Sequence, residues 1–268
     1  MFHAIAAEKP AALFMGGDLL PSGLNLAIAG DDTLTNFFQE ILLQGFRKLR
    51  QEMGEQYPPV FLILGNDDGL HEEADVIAAE AEKLWVYSHN RVVQFGNFSV
   101  CGYSFVPPTP FQLKDWERYD VSRYVDPGAV SPEEGFHSVE IQPNLVRYAT
   151  IKKDLEELAG DRNLARTIFL FHTPPYRTNL DRAALDGKII DHVPLDLHVG
   201  SIAVRRFIEQ RQPLLTLHGH IHESARLMGD WKDEIGETPV YSAAHDGVEL
   251  ALVRFDPENP AASSRELI

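Results

Sequence analysis

Four short apolar runs in this chain each end abruptly in a polar, mostly glycine-bearing turn, and three of the four are followed by a helical period. Ala11-Ala12-Leu13-Phe14-Met15 meets Gly16-Gly17-Asp18, and Val60-Phe61-Leu62-Ile63-Leu64 meets Gly65-Asn66-Asp67-Asp68. Thr167-Ile168-Phe169-Leu170-Phe171 meets His172-Thr173-Pro174-Pro175, and Leu214-Leu215-Thr216-Leu217 meets His218-Gly219-His220-Ile221-His222. Uninterrupted apolar runs of this length read as strands buried on both faces, and strands alternating with helices predict an α/β fold. In such folds binding sites form where the carboxyl ends of strands pass into loops. Here those ends carry Asp18, Asn66, His172, His220 and His222.

The intervening sequence fits that organisation. Phe37, Phe38, Ile41, Leu42, Phe46, Leu49 and Met53 recur at three- and four-residue spacing and predict an amphipathic helix, stopped by Tyr57-Pro58-Pro59. A helix is expected from about Glu72 to Lys83, a hairpin about Gly96-Asn97, a helical period from Leu145 to Leu158, and a helix capped by Ser201 that runs to Gln212. Residues 104–144, rich in proline, glycine and polar groups, have no clear periodicity and read as a lid or an insertion. No linker or repeat divides the chain, so one domain spanning residues 1–268 is expected.

Composition narrows the function classes. The 268 residues hold 24 basic and 40 acidic side chains, a formal charge of −16, which argues against a protein that grips nucleic-acid backbones through a basic face. Bound metal ions can still make an acidic site attractive to phosphate. The single cysteine, Cys101, closes no disulfide within the chain and suits a reducing cytoplasm. Neither a signal peptide nor a membrane-spanning helix is expected.

A carboxylate, an amide oxygen and three imidazoles make a mixed oxygen–nitrogen donor set suited to Mn, Fe, Zn or Co ions. Taken singly, each turn has an ordinary loop reading; their order along the chain carries the signal. The sequence resembles the calcineurin-like metallophosphoesterases, whose motifs run D-x-H, G-D, G-N-H-[DE], a lone H and G-H-x-H. Gly17-Asp18, Gly65-Asn66-Asp67-Asp68, Phe171-His172 and Gly219-His220-Ile221-His222 look like the last four, and His172 to Tyr176, Thr178 to Asp181 and His198 to Ser201 resemble a bacterial and archaeal subgroup.

The resemblance implies a four-layer α/β/β/α sandwich of two mixed sheets flanked by helices, with metal ions at the loop edge. It implies that Asp18 bridges two ions, that Asn66, His172 and His220 complete one metal site, and that His222 ligates the second ion. It further implies hydrolysis of a small phosphodiester or phosphomonoester by a metal-activated hydroxide. The D-x-H motif is absent, so the first strand is expected to be missing, with an exposed sheet edge and a start internal to the true reading frame. Two ions are expected in the intact family site but only one held tightly by this chain. Asp67 stands where many relatives have a histidine, Asp68 and His218 are expected to support the ligands, and His198 or His245 can supply an acid. The competing expectation is a catalytically silent metal-binding module of the same fold.

Overall fold

A computed structural model describes residues 1–21 and 37–268. Strand β1 (Leu13–Gly16) lies beside β2 (Val60–Ile63), and β2 lies beside β3 (Val86–Tyr87), all parallel, with Leu13 opposite Val60 and Phe61 opposite Val86. Helix α1 (Phe2–Glu8) precedes β1; a π-helical stretch, Phe38–Leu43, runs into α2 (Gln44–Met53) before β2, and α3 (Glu73–Ala78) lies between β2 and β3. The expected helix from 72 to 83 is thus a short α-helix between two 3₁₀ turns, Leu70–Glu72 and Ala79–Glu82.

The expected hairpin forms β4 (Val92–Phe95) and β5 (Phe98–Tyr103). Later in the chain come α4 (Pro143–Tyr148), α5 (Ile151–Ala159) and β6 (Thr167–Phe171). The helical period from 145 to 158 therefore splits in two, because Thr150 is extended and its side chain accepts the Lys153 N–H as the cap of α5. A small hairpin, β7 (Ile189–Ile190) and β8 (Val193–Pro194), precedes α6 (Ile202–Arg211), where Ser201 Oγ accepts from Val204 N at 3.0 Å as its cap. After β9 (Leu215–His218) follow α7 (Ser224–Met228), β10 (Lys232–Ile235), β11 (Thr238–Ser242), β12 (Ala251–Asp256) and β13 (Asn259–Leu267).

The larger sheet has the order β10-β11-β9-β6-β5-β4, four parallel strands with an antiparallel strand at each edge. Among the described residues the larger sheet is mixed, whereas the β1-β2-β3 sheet is wholly parallel. Its pairs β1/β2 and β2/β3 are each joined by a long connection containing a helix, the linkage that parallel neighbours require.

Period-two alternation divides the core. Ile63 of β2 packs with Ile168 and Leu170 of β6 and with Leu215 and Leu217 of β9, while Phe14 of β1 joins the same cluster. The alternate residues Val60, Leu62 and Leu64 lie in the cluster that includes Phe46 and Leu49 of α2. In the larger sheet Phe169 meets Phe207 of α6 at a ring separation of 5.1 Å. Both faces of β2 and β6 are therefore buried, which is why their sequences are apolar without alternation.

Residues 104–144 contain no named strand, but buried polar groups hold them. Lys114 Nζ lies 2.6 Å from Glu117 Oε2, both side chains fully buried, and donates to the Thr109 carbonyl at 2.9 Å. Asp115 accepts the Leu70 N–H at 2.7 Å, and Asp120 accepts from Ser201 Oγ at 2.5 Å and from Ile202 N at 2.8 Å. Among the described residues no helix is long and apolar enough to cross a membrane.

Candidate metal centre

The carboxyl ends of β1, β2, β6 and β9 bring their turns together. After β1 the backbone takes left-handed values at Gly17 (φ 95°) and Asp18 (φ 51°), which turns the Asp18 carboxylate back toward the ends of β2 and β6. Its Oδ1 accepts the Asp67 N–H at 2.9 Å, and its Oδ2 lies 3.2 Å from His172 Nε2. Gly65 permits the approach: a Cβ there would stand 2.3 Å from Asp18 Oδ1 and 2.5 Å from the His172 ring.

His172 follows β6 directly and is buried. Its Nδ1 lies 2.7 Å from the Gly16 carbonyl, an oxygen that can only accept, so Nδ1 carries a proton. In the neutral ring Nε2 then offers a lone pair toward Asp18 Oδ2 and toward Asn66 Oδ1, 3.0 Å away. Three electron-rich atoms converge, an arrangement that requires a cation or an additional proton between them. His220, itself in the left-handed region at φ 72°, places its ring centroid 5.1 Å from that of His172. One ligand atom from each of Asp18, His172 and His220 lies within 4.8 Å of the others.

Charge and burial act together here. Burial pushes the Asp18 carboxyl upward, but the adjacent His172 and the Asp67 N–H outweigh it and hold Asp18 below the usual carboxylate range. Burial opposes protonation of His172, yet the Asp18 charge and hydrogen bond raise its pKa overall. Burial and the neighbouring His172 depress His220 to about 3, so it is a neutral ring at ordinary pH. Asp68, fully buried, is pushed up to about 7 by burial and then by the Asp18 charge, although it accepts N–H groups from Gly65 at 2.7 Å and Leu20 at 2.8 Å. Asp67 is raised by the same two causes.

Of the expected ligands, Asp18, His172 and His220 form the cluster and Asn66 joins it through His172. His222 stands outside this three-residue group; it is exposed and lines the same cleft. His218 sits behind the cluster, stacked on Phe171 at 5.6 Å, with Nδ1 donating to the Thr173 carbonyl and Nε2 accepting from Thr216 Oγ1 at 2.7 Å. Burial depresses its pKa to about 4. His198 belongs to a separate arrangement: its Nδ1 lies 2.7 Å from the fully buried Asp181, which also accepts the N–H groups of Arg177, Thr178 and Gly200.

Two features were not anticipated from sequence. The Gly16 carbonyl orients His172 and has no side-chain signature, whereas Asp181, within the Thr178-to-Asp181 run, meets His198 only through the fold. A cleft of about 670 Å³ opens beside the cluster, with Asp18, His172, His220, His222, His245 and Glu249 contributing polar groups to largely apolar walls.

Fold and site together define an α/β protein with a carboxylate–imidazole cluster able to hold a metal ion. No family model matches the chain, and no curated protein matches it. A solved crystal structure is similar over 100% of this chain and 91% of its own, at 18% identity and a TM-score of 0.55, a likeness of fold alone. The crystal structure of TT1561 of Thermus thermophilus is also 18% identical, with a TM-score of 0.49, covering 100% of this chain and 94% of that one.

Proposed function

We propose that the protein is a metal-dependent phosphoesterase acting on a small phosphodiester or phosphomonoester, built as a four-layer α/β/β/α sandwich. The supporting observation is the convergence of Asp18, His172 and His220, with Asn66, at the ends of four strands whose turns resemble calcineurin-like metallophosphoesterase motifs in type and order. The donor set fits Mn, Fe, Zn or Co. A divalent ion there supplies Lewis acidity, polarising a phosphoryl oxygen and acidifying water.

The chain's own contribution is positioning and proton control. The Gly16 carbonyl fixes His172 with Nε2 inward, and the Asp67 N–H fixes the Asp18 carboxylate. Asp67 is half-buried beside Asp18, and burial and then the Asp18 charge raise its pKa in the absence of metal. The exclusion of His222 from the cluster favours a second reading, a metal-binding module without turnover.

Hydrolysis of bis(p-nitrophenyl) phosphate and p-nitrophenyl phosphate with Mn²⁺ separates the two readings. Turnover that falls to background in both His172→Ala and His220→Ala supports the enzyme. Metal binding without turnover of either ester supports the module.

A further inference from the structure

Away from the metal centre, a second cavity of about 340 Å³ lies between residues 121–123 and the start of α5, with Tyr148 at the end of α4 beside it. It shares no lining residue with the cleft that holds Asp18, His172 and His220. Its charged walls are Arg123, Lys152 and Lys153 against a single carboxylate, Glu156. Cations thus outnumber anions here, in a chain that carries 40 acidic and only 24 basic side chains. Such a local reversal of sign attracts an anion that the rest of the surface repels.

Partners within the chain do not use these cations up. Lys152 Nζ lies 3.9 Å from Glu156 Oε1 with both side chains more than half exposed, a pairing that water and salt screen. Among the described residues Lys153 Nζ makes no ion pair. Arg123 Nη2 pairs with Glu133 Oε1, but that carboxylate also faces Arg147 Nε at 3.4 Å and accepts from the Tyr119 hydroxyl at 2.8 Å. A guanidinium has more N–H donors than this shared carboxylate takes up. The Arg123 guanidinium lies 5.6 Å from the Tyr119 ring centre and 5.9 Å from that of Tyr148, contacts that steady its planar fork.

The donors present define the ligand. The first amides of α5 are already bonded: Ile151 N–H to the Tyr119 carbonyl at 2.8 Å, Lys152 N–H to the Asp120 carbonyl at 3.2 Å, and Lys153 N–H to Thr150 Oγ1 at 3.3 Å. The helix end therefore adds a favourable field without free donors, and side chains make the contacts. An arginine fork on one wall and two lysine point charges on the other suit a compact anion with several oxygens and more than one charge. Two adjacent phosphates meet that description. An acidic peptide spreads single charges over flexible side chains and loses more conformational entropy on binding.

We propose that this cavity binds a diphosphate group, held between Arg123 and the pair Lys152 and Lys153. The inference is independent of the phosphoesterase reading. Titration of the metal-free, isotope-labelled 268-residue chain with inorganic pyrophosphate, followed by amide NMR, tests it. The expected result is saturable shifts at Ser122, Arg123 and Lys153, with a Kd of about 1 mM or tighter at roughly 0.15 M salt. Lys153→Gln and Arg123→Gln should each weaken binding tenfold or more. Lys153 is exposed, so its variant should keep the Tm of the parent. Lys48→Gln, which alters an exposed lysine of α2, should bind as the parent does. The proposal is overturned if these amides do not shift to saturation, if the shifts centre on His172 and His220 instead, or if Lys48→Gln weakens binding as much as Lys153→Gln. It is overturned equally if a hexaglutamate peptide binds at these amides as tightly as pyrophosphate, which would assign the cavity to an acidic polypeptide.

Discussion

His172 Nδ1 lies 2.7 Å from the carbonyl oxygen of Gly16, two residues before Asp18, so the strand that carries the carboxylate also fixes the tautomer of the imidazole facing it. Without metal, the Asp18 charge and hydrogen bond outweigh burial and raise the pKa of His172, so a protonated ring can donate from Nε2 to Asp18 Oδ2, 3.2 Å away. The carboxylate–imidazolium pair then contributes stability from about pH 4, where Asp18 ionises in the unfolded chain, to about pH 6.5, the ordinary histidine value. The contribution is lost as pH rises through the raised pKa of His172, and as pH falls through the lowered pKa of Asp18. Metal must displace this proton. Calorimetric titration of Zn²⁺ near pH 6.5 in two buffers of different ionisation enthalpy should show net proton release and an affinity that falls with decreasing pH. Equal apparent enthalpies in the two buffers would contradict the assignment.

Asp68 works in the opposite sense. Its folded pKa is raised to about 7, so the folded state keeps a proton that the unfolded chain loses near pH 4. Its favourable contribution is complete below that value and declines as pH rises toward 7, by up to about 1.4 kcal/mol per pH unit. Asp68→Asn should flatten the decline in metal-free denaturant titrations at pH 5, 6 and 7. Bound metal should flatten it too, because a nearby cation favours the ionised carboxylate.

Substituting Gly65 tests how closely the cluster is packed. In Gly65→Ala the new methyl would overlap both Asp18 Oδ1 and the His172 ring, and neither has a free direction of retreat, since Asp67 N–H and the Gly16 carbonyl hold them. The expected outcome is a loss of about 1–3 kcal/mol in stability together with weakened metal binding. Gly96→Ala, whose Cβ would meet open space at a positive φ, should be destabilised through the backbone alone and leave metal affinity intact.

The parts of this structure that were legible in the sequence are those where burial on two faces leaves a continuous apolar run. β1, β2, β6 and β9 announced themselves, as did the turns that follow them. β10 (KDEI) and β13 (NPAASSREL) did not, because mostly polar edge strands have no such pattern. The break at Thr150 was hidden because apolar periodicity persists across it while the backbone does not. At the site, Asp18, His172 and His220 were legible as residue types at strand ends, but the exposure of His222 depends on how the turn after Gly219 is directed. The ordering of residues 104–144 was equally hidden, since buried polar pairs such as Lys114 and Glu117 look like surface charge in a sequence.

Breaking that pair should be costly and pH-dependent. Lys114→Met leaves Glu117 buried with Thr109 as its remaining partner, and burial already pushes Glu117 up to about 7. Loss of one member of a buried pair typically costs about 3–5 kcal/mol. Below pH 7 Glu117 can take a proton and avoid part of that cost, so the loss should be larger at pH 8 than at pH 5.5. Chemical denaturation of the two proteins at these pH values measures it, and an equal loss at both would mean that the charge on Glu117 is not the cause.

Metal stoichiometry distinguishes His220 from His222, two positions apart on one turn. His220 is one of the three groups whose ligand atoms lie within 4.8 Å of each other, and it is neutral at ordinary pH with its pKa depressed to about 3, so proton competition there is negligible. His222 is exposed and outside that group. With Asn66 beside His172, one ion has four candidate donors, whereas a second would find few that are not already used. After loading with Mn²⁺ or Zn²⁺ and exhaustive dialysis, elemental analysis should return one ion per chain. His220→Ala should reduce that to well below one, and His222→Ala should leave it unchanged. Two retained ions in the parent chain, with one lost in His222→Ala, would show that the cleft closes around a second ion through His222.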